Sequence, residues 1–381
     1  MGKKIIAIIG FTVFLIGMIV GQSKADLADG ERTALEDLYN STGGDSWDVN
    51  TNWMSGVSEC DWHGITCDGD GYFVQRIELE SNNLAGSLPA SLANFTDLRV
   101  LDLSGNFITD PIPDLSSLDA LWRIDLGQNN IGGNIPTHLS GVTLLQDLLL
   151  GDNELDGEIT IPTASGELAA LSTLYLSRNR LEGTIPTEIG GLESLKYLYL
   201  SGNKLEGPIP GNLDDDLADT LLGCNIRYNA LYTPNNLAGD DLSDFFTDKG
   251  GDWESYQTVA PTNLDAGDAT DESITLTWTT IAYEYDGDIG GYEVWYRPSG
   301  GSWELFETTS GTTVTSSTID GLSPGTNYSF RVRTLTEQHD DNPNDVYSEY
   351  ATTSGKTTGE EEDDEGCFIN TTAIKIFNIF R

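Results

Sequence analysis

One motif, L-x-L-x-x-N-x-L, returns seven times along the middle of the chain. It occurs at residues 77–84, 101–108, 124–131, 148–155, 174–181, 198–205 and 224–231. The shared Asn falls at Asn82, Asn106, Asn129, Asn153, Asn179, Asn203 and Asn229, at spacings of 24, 23, 24, 26, 24 and 26 residues. Seven units in phase define a solenoid in which each turn contacts only its neighbours. Alternate Leu side chains of each short strand point inward and stack into one core. Each Asn offers two amide donors and a carbonyl to the backbone groups buried at the bend. The Asn column is therefore structural. Seven strands at ~4.8 Å spacing make a sheet about 29 Å across, wide enough for a macromolecule.

Function on such a scaffold belongs to the positions between the inward Leu residues. The middle column reads Glu78, Asp102, Asp125, Leu149, Tyr175, Tyr199 and Asn225. The column two residues earlier reads Arg76, Val100, Arg123, Asp147, Thr173, Tyr197 and Gly223. The exposed face therefore divides. Its N-terminal half is acidic and carries Arg76, Arg99, Trp122 and Arg123; its C-terminal half carries Tyr175, Tyr197, Tyr199 and Tyr228. Residues two apart on a strand share a face, so the tyrosines are expected to form one patch. Tyr supplies rigid area with a polar tip, suited to protein recognition or to stacking on sugar rings. Two blander readings stand beside these: Tyr also tolerates a strand surface, and the acids also follow the overall charge.

That charge is large. The 381 residues hold 61 Asp+Glu against 19 Lys+Arg, a formal net charge of −42, which repels nucleic acid and anionic membrane surfaces. Only three His and four Cys are present, little material for His-based catalysis or a thiolate cage. His63, His138 and His339 lie apart, and no nucleophile elbow occurs. Acids are so abundant that some pair always lies close, and no motif marks a carboxylate pair for glycoside hydrolysis. Neither an enzyme, a cofactor nor a metal is expected. Asp214, Asp215 and Asp216 lack the D-x-D-x-D-G spacing of a calcium loop and read as solvated.

The segments at residues 84–89, 181–186 and 205–210 (LAGSLP, LEGTIP, LEGPIP) resemble the plant-type leucine-rich repeat, L-x-G-x-I-P. In that family the Gly and Pro turn the chain off the main sheet, often into a second short strand. The second repeat lacks the Gly, the fourth carries an insertion near Ile159–Pro162, and the seventh ends at Leu231-Tyr232-Thr233-Pro234. Residues 26–72 look like the same family's N-terminal cap. Ala34, Leu35, Leu38 and Tyr39 share one helical face, and Trp47, Trp53 and Trp62 surround Cys60 and Cys67. In an oxidising compartment these two Cys are expected to form a disulfide; a zinc site would have only His63 to add. Cys224 replaces a core Leu and reads as a buried, inert thiol.

Beyond Ala260-Pro261 the period changes to strand alternation, at residues 274–278, 292–296 and 328–332. Residues 322–328 (LSPGTNY) resemble the L-x-P-x-T-x-Y corner of a fibronectin type III domain, with Trp278 and Tyr292 in the expected strands. No Arg-Gly-Asp occurs, so integrin-style adhesion has no support. At the ends, Lys3, Lys4 and the apolar residues 5–20 read as an export signal, with an uncleaved anchor as the other reading. The acidic run 360–365 reads as a solvated linker, and residues 366–373 (GCFINTTA) resemble a sorting tail of some secreted bacterial proteins. Cys367 there is a candidate for intermolecular pairing.

The fold class read from these features is an α/β leucine-rich-repeat solenoid of about seven plant-type repeats, capped at both ends, plus an all-β fibronectin type III sandwich. The expected divisions are 1–25 signal, 26–72 N-terminal cap, 73–231 solenoid, 232–258 C-terminal cap, 259–358 sandwich and 359–381 linker and tail. The whole resembles secreted bacterial proteins that join the two modules. It implies a non-enzymatic, extracellular or surface-attached recognition protein. The concave face is expected to bind a protein ligand through Tyr175, Tyr197, Tyr199, Tyr228, Trp122, Arg123 and Arg76. The sandwich serves as spacer or second binding module, and a glycan-binding or glycosidase-inhibiting module is the alternative. A membrane enters only through a tail anchor.

Overall fold

The computed structural model describes residues 27–28, 30–161, 167–217, 219–233, 241–280 and 290–359. The signal reading and the tail from residue 360 onward lie outside these, as does Pro162 of the insertion. Helix Glu31–Ser41 opens the described chain and buries Ala34, Leu35, Leu38 and Tyr39, the face expected from its spacing. Tyr39, Trp47, Trp53 and Trp62 then pack ring against ring at centroid separations of 4.8–5.8 Å. This aromatic plug covers the first repeat, whose Leu core would otherwise meet water. Cys60 and Cys67 are joined by a disulfide, with Cα atoms 5.5 Å apart.

The seven repeats each contribute one strand to a parallel sheet, from Val74–Glu78 through Gly223–Asn225, in chain order and in register. The sheet has an eighth strand that periodicity does not show. Ile65–Cys67 pairs antiparallel with Val74–Glu78 and so covers the sheet's first edge. After most corners a second short parallel strand forms, as at Ala85–Ser87 with Phe107–Thr109 and at Lys204–Pro208 with Ala230–Tyr232.

The Asn residues bind as a ladder. Asn153 Oδ1 accepts the Ile131 N–H at 3.0 Å while its amide donates to the carbonyls of Leu126, Leu150 and Gly151. Asn82 starts the column by bonding both backbone groups of Val49 in the cap. Gln257 ends it: its Oε1 accepts the Leu231 N–H, and its Nε2 donates to the carbonyls of Ile226 and Trp253. Helix Asp241–Gly250 lies beside the last strand, and Phe246 and Trp253 are buried in the solenoid core. Cys224 is buried and unbridged, and burial pushes its thiol up to about 12, so it is not a nucleophile at neutral pH.

The C-terminal sandwich packs a sheet of Thr262–Gly267, Ser273–Thr279 and Ser316–Asp320 on a second sheet. The latter contains Glu304–Thr308, Gly291–Pro298, Asn327–Thr336, Val346–Tyr347 and Ala351–Lys356. Trp278 and Tyr292 meet in its core with ring centroids 5.3 Å apart. The Tyr328 hydroxyl accepts the Ser323 N–H at 2.9 Å, which makes the LSPGTNY segment a corner tied to its own strand. The sandwich is bonded to the solenoid at three places, one of them the Tyr232 hydroxyl, which donates to Glu349 at 3.5 Å. Thr258 and Thr334 link the strand-connecting segment to it through Thr336 and Val259, and the hairpin tip at residues 338–345 lies on repeats five to seven.

Candidate functional site

Three of the expected tyrosines come together on the concave face. The register Thr173↔Tyr197↔Gly223 and Tyr175↔Tyr199↔Asn225 sets them on adjacent strands. The rings of Tyr175 and Tyr199 have centroids 5.3 Å apart, and those of Tyr197 and Tyr199 lie parallel at 6.4 Å. Glycine makes room for them. A Cβ built on Gly151 would lie 2.0 Å from the Tyr175 ring, so that ring rests on a bare backbone. Gly223 adjoins Tyr197 and Tyr199 more loosely, and a Cβ there would meet them at ordinary contacts of 3.5–3.7 Å. Tyr197 is the most open of the three at 37% exposure. Leu149 sits one strand before Tyr175 in the same column and extends the patch with apolar area.

The acidic half is organised differently. Arg76 is held by Glu78 through two bonds, at 2.6 and 2.9 Å. Arg123 bonds Asp125 at 2.8 Å and Asp147 at 3.4 Å, with Asp102 3.9 Å away. Burial, then the charges of Asp102 and nearby Asp147, raise the Asp125 carboxyl above its ordinary range, although Arg123 opposes this. Hydrogen bonding from Arg76 holds the Glu78 carboxyl low. These arginines neutralise columns of acids, and neither presents a free cation to a ligand.

Two expected residues lie elsewhere. Trp122 precedes its strand, is half-buried and makes no ring contact with the tyrosines. Tyr228 follows the strand of repeat seven rather than lying on it, so strand alternation does not place it on the patch. Its ring packs edge-on against Tyr256 and His339, each at 5.2 Å. Burial, helped by Asp341 and Tyr256, pushes its hydroxyl up to about 12. Tyr228 thus belongs to the junction with the sandwich. Sequence reading missed Asn342 and Asn344, which are 1% and 5% exposed in the hairpin tip. Their one legible signal is a pair of carboxamides two residues apart in a turn, and that signal is weak. Among the described residues no group of His, Cys, Asp or Glu is gathered to hold a metal, and no helix is long and apolar enough to cross a membrane.

Comparison with known proteins agrees with both modules. Residues 259–348 match the fibronectin type III domain, and residues 97–118 and 161–205 match leucine-rich repeats. Receptor-like protein kinase 7 of Arabidopsis thaliana is 35% identical over 164 residues, covering 36% of this chain and 16% of that protein. Phytosulfokine receptor 1 of the same plant is 43% identical over 70 residues, 18% of this chain and 7% of its own. The chain thus spans less than a fifth of either, and the aligned part of such kinases is the extracellular repeat region. Among solved structures, a plant ice-binding protein is 24% identical with a TM-score of 0.48, over 54% of this chain and 66% of that one. The PEPR1–AtPEP1 structure is 28% identical with a TM-score of 0.46, over 54% and 29%. These are plant proteins; they give no support to a bacterial source for this chain. What repeats, ladder and sandwich establish together is the architecture: a leucine-rich-repeat solenoid carrying a fibronectin type III domain.

Proposed function

We propose that this chain is a non-enzymatic extracellular recognition protein whose concave face, at repeats four to seven, binds a protein ligand. The observation that carries this reading is the cluster of Tyr175, Tyr197 and Tyr199, with Tyr175 resting on a floor opened by Gly151. Rigid aromatic anchors surrounded by polar residues make effective binding centres, because little side-chain entropy is lost on contact. The paired arginines of the acidic half leave a net negative rim that orients a partner more than it anchors one. Receptor proteins among the similar sequences support a ligand-binding role. The Cys60–Cys67 disulfide supports an oxidising, extracellular location. The hairpin contacts favour a sandwich fixed against the solenoid over one that acts as a loose spacer.

The test is a Tyr175→Ala, Tyr197→Ala, Tyr199→Ala variant, screened beside the parent chain on arrays of surface proteins and of glycans. The expected result is protein binding lost about a hundredfold or more while Tm moves by only a few degrees. Glycan hits lost in the same variant would move the sugar-stacking reading ahead. Undiminished binding by the variant would overturn the patch.

A further inference from the structure

All seven repeats leave the sheet through the same corner. The residue before each ladder Asn has a positive φ, from 49° at Ser81 to 68° at Gly105 and Gly202. The turn lines up corner carbonyls along one rim of the concave face. On repeats five to seven that rim is occupied by the chain's own hairpin tip. Asn342 donates to the carbonyls of Asn203 and Tyr228, at 3.2 and 2.8 Å. Asn344 donates to those of Asn179 and Gly202. Each amide therefore bridges the ladder carbonyl of one repeat and the corner carbonyl of the next. Two residues of hairpin advance one repeat. Gly202 admits the hairpin, since a Cβ there would lie 2.7 Å from the Asp341 carbonyl, and Arg178 bonds the carbonyl of Asp340.

The same rim continues uncovered over the earlier repeats as a groove of about 260 Å³, bounded by Ser81, Gly105, Gln128, Gly151, Asp152 and Tyr175. The carbonyls of Asn106 and Gln128 form the pair equivalent to Asn203 and Tyr228. Neither takes a hydrogen bond from the described residues, and nor do those of Asn129 and Asn153. Small residues form the floor, and Asp125 and Asp152 stand along it, paired with Arg123 at 2.8 Å and with Arg178 at 2.6 Å. A carboxylate occupant brings no donor to the open carbonyls, whereas a carboxamide does.

We propose that this open stretch binds an extended segment of a partner protein as the hairpin tip binds its neighbours, through Asn or Gln side chains at alternate positions. The proposal rests on the protein-ligand reading and specifies a second contact for it, beside the tyrosines. The probe is a capped synthetic peptide with Asn at three alternate positions in a Ser/Thr background and one terminal Lys. Binding to the full chain is followed by calorimetry and by amide NMR shifts. Expected are shifts centred on Gly105, Gln128 and Gly151, and an affinity lowered about tenfold or more when the three Asn become Asp. Gly127→Ala, whose added Cβ meets the Asp125 carboxylate and the Gly151 carbonyl at 3.4 Å, is expected to weaken binding to a similar degree while Leu305→Ala, on an exposed strand of the sandwich, leaves it unchanged. Equal binding of the Asn and Asp peptides, shifts centred elsewhere, or no binding at millimolar peptide would overturn the proposal. Loss of protein capture in the tyrosine variant, with no peptide bound to the rim, would retain the face and reject the groove.

Discussion

Glu31 is 1% exposed at the start of the first helix, with one carboxylate oxygen accepting the Val74 N–H at 2.8 Å and the other without a partner. Burial, set against that single hydrogen bond, raises its pKa from an ordinary 4.5 to about 7. A raised carboxyl pKa means that the native state holds a proton the unfolded chain releases. The associated stability is fully present below pH 4.5 and is lost as pH rises through 7. Glu31→Gln keeps the neutral shape at every pH. Its Tm is expected to match the parent near pH 4.5 and to exceed it by a few degrees at pH 8. Thermal melts at the two pH values check this, and an equal difference at both would refute it. At this scale the sequence was partly legible. The helical face and the disulfide cysteines were readable from spacing and type, but the burial of Glu31 was not, because a charged residue in a helix's first turn usually faces water.

The ladder is the element on which the repeats depend. Asn153→Ala would leave the buried Ile131 N–H without its acceptor and take one of two donors from each of the Leu126, Leu150 and Gly151 carbonyls, which keep Asn129, Asn179 and the Gln128 N–H. One unpaired buried donor with three weakened acceptors is expected to cost about 2–3 kcal/mol. Gln257→Ala removes the closing rung at the end of the stack, where local opening is easier, and is expected to cost less. Urea unfolding of both variants tests the order; a Gln257 variant as damaged as the Asn153 one would show that the last rung is not a frayed end. The seven Asn were visible because their spacing repeats. Gln257 was not, because it differs in type and stands 28 residues after Asn229, outside the period.

For the whole molecule, the question is whether the two modules move together. Asn342 and Asn344 join hairpin to solenoid across more than a hundred residues of sequence, and Thr258 adds a buried hydroxyl contact to Thr336. Replacing both Asn by Ala leaves the hairpin's own strands intact and removes its donors to repeats five to seven. Calorimetry is expected to resolve two transitions where the parent shows one, and small-angle scattering to give a larger radius of gyration. An unchanged profile would show that the remaining contacts, those of the Thr residues, of Arg178 with the Asp340 carbonyl and of Tyr232 with Glu349, suffice.

The repeat period by itself determined the solenoid, the number of its strands after the cap, the inward Leu columns and the surface columns on which Tyr175, Tyr197 and Tyr199 meet. A parallel stack turns sequence spacing directly into position, so local reading reaches that far. Only the tertiary structure decided that Arg76 and Arg123 are already paired and that Tyr228 faces the sandwich. It alone also decided that the hairpin covers one end of a rim whose other end stays open. Those outcomes depend on side-chain reach and on contacts between segments far apart in the chain, where no period operates.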